Sequence, residues 1–357
     1  MTLFWLLTRL LFGVATPSEL FLDRVAPFIN AHLFGTFIGI FGGYTHLKIL
    51  GFLSVVAGQL IVGVAGALLY ERARERLGKR LAVLSLVAFS AVLLVVLLAI
   101  LSEQLYTNYF GGAGRVAVTW NIINLTAGVT CYALFSLVAL KFFDGMRPIR
   151  QTDSRALFLR TAGISVLVLS NIGALVALYR KATFSYDGTT YMGADVLPIT
   201  PNDRFYLVTK NVLDPDLRAD RWSLKIDGHV ACSKTFALED LRRLPSVEQE
   251  TTLMCISNPV GGGLMSNARW RGVPLPMLLN LATPKDRSGR VLLRAADGYT
   301  DTIYFEKAMQ PTTIVAYEMN GEALPQRHGY PVRMIVPGLF GEKHVKWLTG
   351  IEIVDHN

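Results

Sequence analysis

Four apolar runs follow one another in the first half of this chain, at Gly51 to Tyr70, Leu81 to Ser102, Thr119 to Leu140 and Thr161 to Tyr179. A soluble domain can bury one such stretch of about twenty residues, but several in succession with few charges fit a bilayer core. The 357 residues are 52% hydrophobic, and that content is concentrated before Lys181. Ala31 to Tyr44 is a shorter fifth segment, read as one arm of a helical hairpin or as a re-entrant or interfacial piece. Residues 1–181 are therefore expected to form an α-helical transmembrane bundle of about five helices. Met1 to Phe12 is apolar, too short to span, and lacks a small-residue cleavage pattern. It is expected to lie at the membrane surface or to pack against the bundle.

The formal charge of +8 would permit a nucleic-acid partner, but its distribution argues for topology instead. Glu71 to Arg80 holds five basic and two acidic residues, as does Lys141 to Arg160, whereas 103–118 holds Arg115 against Glu103. The two basic connections are expected to face the cytoplasm. One further crossing through 161–179 then puts everything after about residue 182 outside the cell membrane. The spans carry few charged residues, which weakens a transporter reading. His32 and His46 invite a haem, yet they sit beside a short hairpin rather than in two long facing helices, so haem in the membrane domain is not expected.

After Lys181 the texture becomes short strands separated by turn residues, following a linker over 182–194. Strands are expected at Trp222 to Ile226, Val291 to Ala295, Thr313 to Met319, Val332 to Val336 and His344 to Val354. Short helical pieces are expected at Phe236 to Leu244 and Glu306 to Met309. The second domain, 195–354, is thus mixed α/β and mostly β.

Three of its regions carry convergent chemistry. Pro201 to Tyr206 precedes Thr209-Lys210-Asn211, setting donors around the aromatic pair Phe205-Tyr206. Cys255 leaves an apolar strand for a loop containing Gly261-Gly262-Gly263, which leaves room for close approach of a bulky ligand. An isolated Cys is equally a small core residue. Of the other two cysteines, Cys131 lies in an apolar run and Cys232 beside an expected turn, and a Cys232–Cys255 disulfide is open from the sequence alone. The tail from Gln326 to Trp347 gathers His328, Arg333, His344, Val345 and Lys346 into a donor-rich stretch suited to a phosphate or to a solvated basic face.

Taken in this order, with Ser266-Asn267-Ala268-Arg269-Trp270-Arg271-Gly272-Val273 and Pro331-Val332-Arg333 to Val345-Lys346-Trp347-Leu348, these regions resemble the oxidoreductase molybdopterin-binding domain of the sulfite oxidase family. The resemblance implies a mononuclear molybdenum held by one pterin's dithiolene and by the thiolate of Cys255, a soft ligand that leaves a position open for oxygen transfer. It also implies that Phe205, Tyr206, Lys210, His328, Arg333, His344, Val345 and Lys346 hold the pterin and its phosphate. Two departures stand out. Sulfite-oxidising relatives carry arginines shortly after the metal-binding Cys, where this chain reads Ser257-Asn258-Pro259-Val260-Gly261, and Lys210 stands for an anion-pocket arginine. Lys210 and Arg269 are the candidates to replace that clamp on a small substrate.

The implied activity is oxygen-atom transfer on a small sulfur-containing or other oxyanion-type molecule. Electrons would pass to or from the quinone pool, a separate electron-transfer protein or a diffusible carrier. The alternatives are a sulfoxide or N-oxide reductase and a cofactor-free membrane scaffold. Ser154 to Arg160 resembles a twin-arginine export signal with Ala156 in place of the second arginine, which would carry a folded catalytic domain outward.

Overall fold

The computed structural model describes residues 2–25, 36–37, 40, 44–107, 114–145, 154–181, 197–211, 214–258, 260–285 and 289–354. The expected linker 182–194 and most of the expected segment 31–44 lie outside them. Contacts divide the chain into two units, one drawing on Met1–Asn30, His46–Tyr106 and Val118–Ala182, the other on Ala31–Thr45, Thr107–Ala117 and Thr183–Asn357.

In the first unit the helices are α1 (Thr2–Phe12), α2 (Pro17–Val25), α3 (Tyr44–Leu77), α4 (Lys79–Ile100), α5 (Gly114–Gly145) and α6 (Ser154–Lys181). Three stretches, Ile49–Leu77, Lys79–Ile100 and Val116–Val138, are long and apolar enough to cross a membrane. Leu84, Val92 and Val95 on α4 are exposed, the reverse of a helix that packs a soluble core. The expected run 161–179 lies within α6, where the apolar helical stretch is the shorter Val168–Ala177. The basic segment 71–80, expected as a connection, continues α3 to Leu77 and turns at Gly78, whose φ of 86° stops the helix.

The opening stretch packs rather than floats. Trp5 donates from its indole to the carbonyl of Asn124 at 3.1 Å, Thr8 donates to Asn124 Oδ1 at 3.0 Å, and Asn124 donates to Ala15 O at 3.0 Å. Thr16 and Glu19 cap α2 reciprocally: Glu19 N–H donates to Thr16 Oγ1 at 3.2 Å and Thr16 N–H to Glu19 Oε2 at 2.9 Å. Glu19 also accepts from buried Arg9 at 2.8 Å, so each member of the pair is neutralised where water is excluded.

The second unit holds two sheets. One runs β2 (Lys234–Phe236), β1 (Leu224–Gly228), β10 (Leu348–Val354), β5 (Arg290–Ala295), β6 (Thr300–Tyr304); the other runs β3 (Val247–Met254), β4 (Met265–Pro274), β7 (Ile314–Met319), β8 (Glu322–Ala323), with β9 (Arg333–Ile335) also paired to β7. β10 lies parallel to β1 and antiparallel to β5. Three short helices, α7 (Leu238–Arg243), α8 (Leu275–Ala282) and α9 (Phe305–Ala308), connect the strands. The expected strands fall within a few residues of the observed ones. The strand expected to end at Cys255 is β3, whereas its partner β4 and the helix α8 were not among the expected elements. α8 is an eight-residue helix with Leu275, Leu278, Leu279 and Ala282 buried, too short to separate from a strand by its apolar pattern.

One core cluster lies around Leu224, Ile226, Leu278, Leu293, Val345 and Ile351. A second gathers Phe205, Tyr206, Leu253, Trp270 and Ile335, with Cys255 and Tyr330 packed against it. That second cluster is the floor of the site.

Candidate active site

β3 and β4 pair antiparallel with Met254 opposite Met265, so residues 255–264 form the loop of a hairpin. Cys255 stands at its entrance. Its N–H donates to Leu264 O at 2.9 Å and its carbonyl accepts from Asn258 N–H at 3.0 Å. Asn258 Oδ1 accepts from Leu264 N–H at 2.8 Å, and Gly261 takes the left-handed turn at φ 77°. The loop is thus closed by its own backbone and leaves the half-buried thiol 3.2 Å from Ser257 Oγ. Cys255, Cys232 and Cys131 are all free thiols, which answers the open disulfide question.

Arg333 lies behind this entrance on the short strand β9. Its side chain is 4% exposed, with Nη1 donating to His328 O at 3.0 Å and Nη2 to His344 O at 2.9 Å. Its Nε is buried without a hydrogen-bond partner, and the guanidinium sits 5.1 Å over the Trp270 ring. Burial lowers its pKa to about 10. Among the described residues no carboxylate pairs with it. A buried cation without counter-charge costs several kcal/mol or more, and an anionic ligand would offset that cost.

The neighbours of Arg333 divide into two kinds. Phe205 stacks on Tyr206 with ring centroids 5.5 Å apart and meets Trp270 and His328 edge-on at 5.7 and 5.5 Å. Tyr206 N–H donates to Ser266 Oγ at 3.0 Å. His328 donates from Nε2 to Asn202 O at 2.9 Å, and burial drives its pKa down to about 3. Lys346 is half-buried, donates to Val208 O and Arg327 O, each at 3.3 Å, and lies 4.2 Å over Trp347. Burial first, then the charge of Arg333 against that of Asp214, brings its pKa to about 8. Lys210 donates to Asp297 O at 2.9 Å. The polar tips of His328, Lys346 and Lys210 are thus each held by backbone carbonyls.

Three expectations change. His344 does not offer its ring: Nδ1 accepts from Val336 N–H at 3.1 Å and Nε2 donates to Leu339 O at 3.1 Å, so both nitrogens serve the fold while its carbonyl holds Arg333. Val345 is buried in the core, and its carbonyl accepts from Met334 N–H at 2.9 Å. Arg269 pairs with Glu250 at 3.1 Å on the exposed face of β4. It lies four residues from Met265, a span of about 13 Å along a strand, and is not brought to Cys255.

Sequence reasoning passed over Asp297, Tyr299, Asp301 and Lys343. Buried Asp297 accepts from Asn211 Nδ2 at 2.8 Å and from Tyr299 N–H at 3.0 Å. In the sequence Asp297-Gly298 reads as an ordinary turn signal; the one clue was the donors of Lys210-Asn211, whose acceptor had still to be found.

Residues 211–357 match the family described as the oxidoreductase molybdopterin binding domain. The chain is 34% identical over 179 residues to the mitochondrial sulfite oxidase of Drosophila melanogaster, covering 44% of this chain and 31% of that protein. It is 35% identical over 181 residues to the human mitochondrial sulfite oxidase, covering 43% of this chain and 33% of the relative. Against the uncharacterized oxidoreductase YuiH of Bacillus subtilis it is 31% identical over 137 residues, 38% of this chain and 67% of YuiH. The chain spans about a third of the length of the sulfite oxidases it matches. The second unit is a molybdopterin-binding oxidoreductase domain. The chain belongs to the oxidoreductase molybdopterin-binding domain family, whose cofactor carries molybdenum.

Proposed function

We propose that this chain is a membrane-anchored, molybdenum-dependent oxidoreductase that transfers an oxygen atom to or from a small sulfur-containing or other oxyanion-type substrate. The observation that carries this reading is the buried guanidinium of Arg333, without a carboxylate partner among the described residues, lying over the ring of Trp270, whose packed cluster also receives the thiol of Cys255. The guanidinium answers a phosphate and the thiol a soft metal.

In this reading Cys255 is the metal's protein ligand, and Arg333, Lys346 and Lys210 hold the anionic part of the pterin. Phe205, Tyr206 and His328 shape its seat. When bound, the group supplies two-electron oxygen-transfer chemistry at molybdenum. The chain's own part is to fix a thiolate, balance an anion and keep water from the aromatic floor. His328 stays neutral and serves as a donor anchored to Asn202 rather than as a proton carrier. Among the described residues no three His, Cys, Asp or Glu side chains converge on a metal, so a metal at Cys255 would take its other ligands from the cofactor.

A second reading, reduction of a sulfoxide or N-oxide, is favoured by the rim. Met254, Ile256, Val260, Met265, Leu339 and Phe340 are exposed apolar side chains on the hairpin and the neighbouring turn. Arg269, expected to help clamp a dianion, is engaged by Glu250. An apolar rim suits a thioether or sulfoxide better than doubly charged sulfite.

The three membrane-length helices support anchoring, and an extracytoplasmic catalytic domain requires the run 161–179, bounded by Arg160 and by Arg180-Lys181, to cross as a fourth span. Electron exchange with quinone or with a separate electron-transfer protein follows from that placement. Metal and pterin analysis of the full chain purified in detergent tests the core reading. One molybdenum and one pterin per chain are expected, and a metal-free, pterin-free chain of full fold would defeat the reading. Assays with sulfite and with a sulfoxide then separate the two directions.

A further inference from the structure

Beside the hairpin entrance lies a second polar cluster that neither the cofactor seat nor the thiol uses. Tyr299 ends the turn before β6, and its hydroxyl donates to Asp301 Oδ2 at 3.1 Å, with Glu342 O also in range at 3.4 Å. Lys343 closes the arrangement, donating to Asp301 Oδ1 at 2.6 Å and to Thr302 O at 3.2 Å. The cluster abuts the site through the turn Gly341–Lys343. A Cβ placed on Gly341 would stand 2.4 Å from Tyr206 Oη and 3.3 Å from the carbonyl of Met254, the residue before Cys255. The same turn therefore touches the site floor on one side and the Tyr299 hydroxyl on the other.

We propose that Asp301 and Lys343 are positioning residues of the Cys255 site, holding the Tyr299 hydroxyl against the turn that walls it. This rests on reading Cys255 as the active-site ligand. An ion pair between partly buried groups gives the carboxylate one fixed orientation, and a carboxylate so held can keep accepting the phenol proton while Lys343 balances its charge. Tyr299 is fastened at its other end too, since its N–H donates to Asp297 and Asp297 takes Asn211 and Lys210. Its hydroxyl thus gives its proton to Asp301 and keeps a lone pair for whatever binds at the wall. Burial, and then the negative charges of Asp301, Glu342 and Asp297, hold the phenol above its ordinary range.

The test uses the full chain in detergent with 3-fluorotyrosine placed at position 299 and followed by fluorine NMR. In the parent protein the resonance keeps its neutral-phenol position at pH values where free fluorotyrosine has ionised. Asp301→Asn is expected to make ionisation about tenfold easier, one unit of pKa. Lys343→Met is expected to move the neutral resonance toward that of free fluorotyrosine, and Lys343→Arg to restore it, which a loss of packing alone would not do. Circular dichroism reports whether each variant is folded. A folded Asp301→Asn that ionises like the parent overturns the proposal, and so does a Lys343→Met that keeps the parent resonance. Molybdenum content is measured on the same samples, so a chain without metal defeats the reading of Cys255 and leaves the fluorine result standing on its own.

Discussion

Arg333 donates to the carbonyl of His344 at 2.9 Å, although the His344 ring itself is spent on Val336 and Leu339. One residue thereby anchors a buried cation with its backbone and, with its side chain, the end of β9 and the turn that follows it. If that cation awaits an anion, Arg333→Met should lower the pterin content of the purified chain at least about tenfold, the scale of one lost charge-assisted hydrogen bond. The cofactor-free chain should change by only roughly 1–2 kcal/mol, because relief of desolvation offsets the lost bonds. Pterin fluorescence after release, set beside urea unfolding of the apo chain, reads both. Equal pterin in variant and parent would remove Arg333 from the cofactor seat.

His328 and His344 are neutral in the fold, with pKa values lowered by burial to about 3. The unfolded chain binds protons at these residues below its ordinary imidazole pKa, and the folded chain does not. Their effect is absent above about pH 6.5, and each then removes roughly 1.4 kcal/mol of stability per pH unit as pH falls toward 3. Unfolding measured at pH 7, 6 and 5 should show this slope. His328→Gln should take about half of it away, and a flat profile in the parent protein is the contrary result.

Gly341 has no room for a methyl group beside Tyr206 Oη. Gly341→Ala should therefore cost about 1–3 kcal/mol through overpacking, and adding Tyr206→Phe should recover much of it by withdrawing the oxygen. Thermal unfolding of the single and double variants measures the coupling. Strict additivity would mean that the two groups do not meet.

In the first unit, a Cβ on Gly128 would fall 2.1 Å from the Trp5 indole, whereas one on Gly173 meets nothing within 4 Å. Gly128→Val should dislodge α1 and make residues 2–25 readily cut by protease, while Gly173→Val should behave as the parent. Matching cleavage patterns for both variants would contradict the packing of α1 on α5.

What the sequence conveyed depended on which physical rule each residue obeyed. Strands with a buried face, such as Arg290–Ala295 and Ile314–Met319, announce themselves by their apolar residues. The place of Cys255 at the exit of a strand was legible locally, while the roles proposed for Cys255 and Arg333 came from the resemblance. Arg269 misled because it is close to Cys255 in the chain, and only the register of β4 against β3 shows it beside Glu250. His344 misled in another way: a ring read as a donor for a ligand is consumed by two backbone groups that burial obliges it to satisfy. Tyr299, Asp301 and Lys343 are brought together by a turn and a short 3-10 helix far apart in sequence, which no periodicity encodes.

The central place of β10, between β1 and β5, also sets a timetable. Among the described strands it is the last to be made, yet the pairs β1–β2 and β5–β6 cannot join until it arrives. During synthesis both pairs carry an open edge able to seize the wrong strand. The carbonyl of His344 that holds Arg333 lies just before β10, so the anion seat also waits for this late segment. In the proposed reading, an anion can therefore be seated at Arg333 only after β10 has been made and paired between β1 and β5.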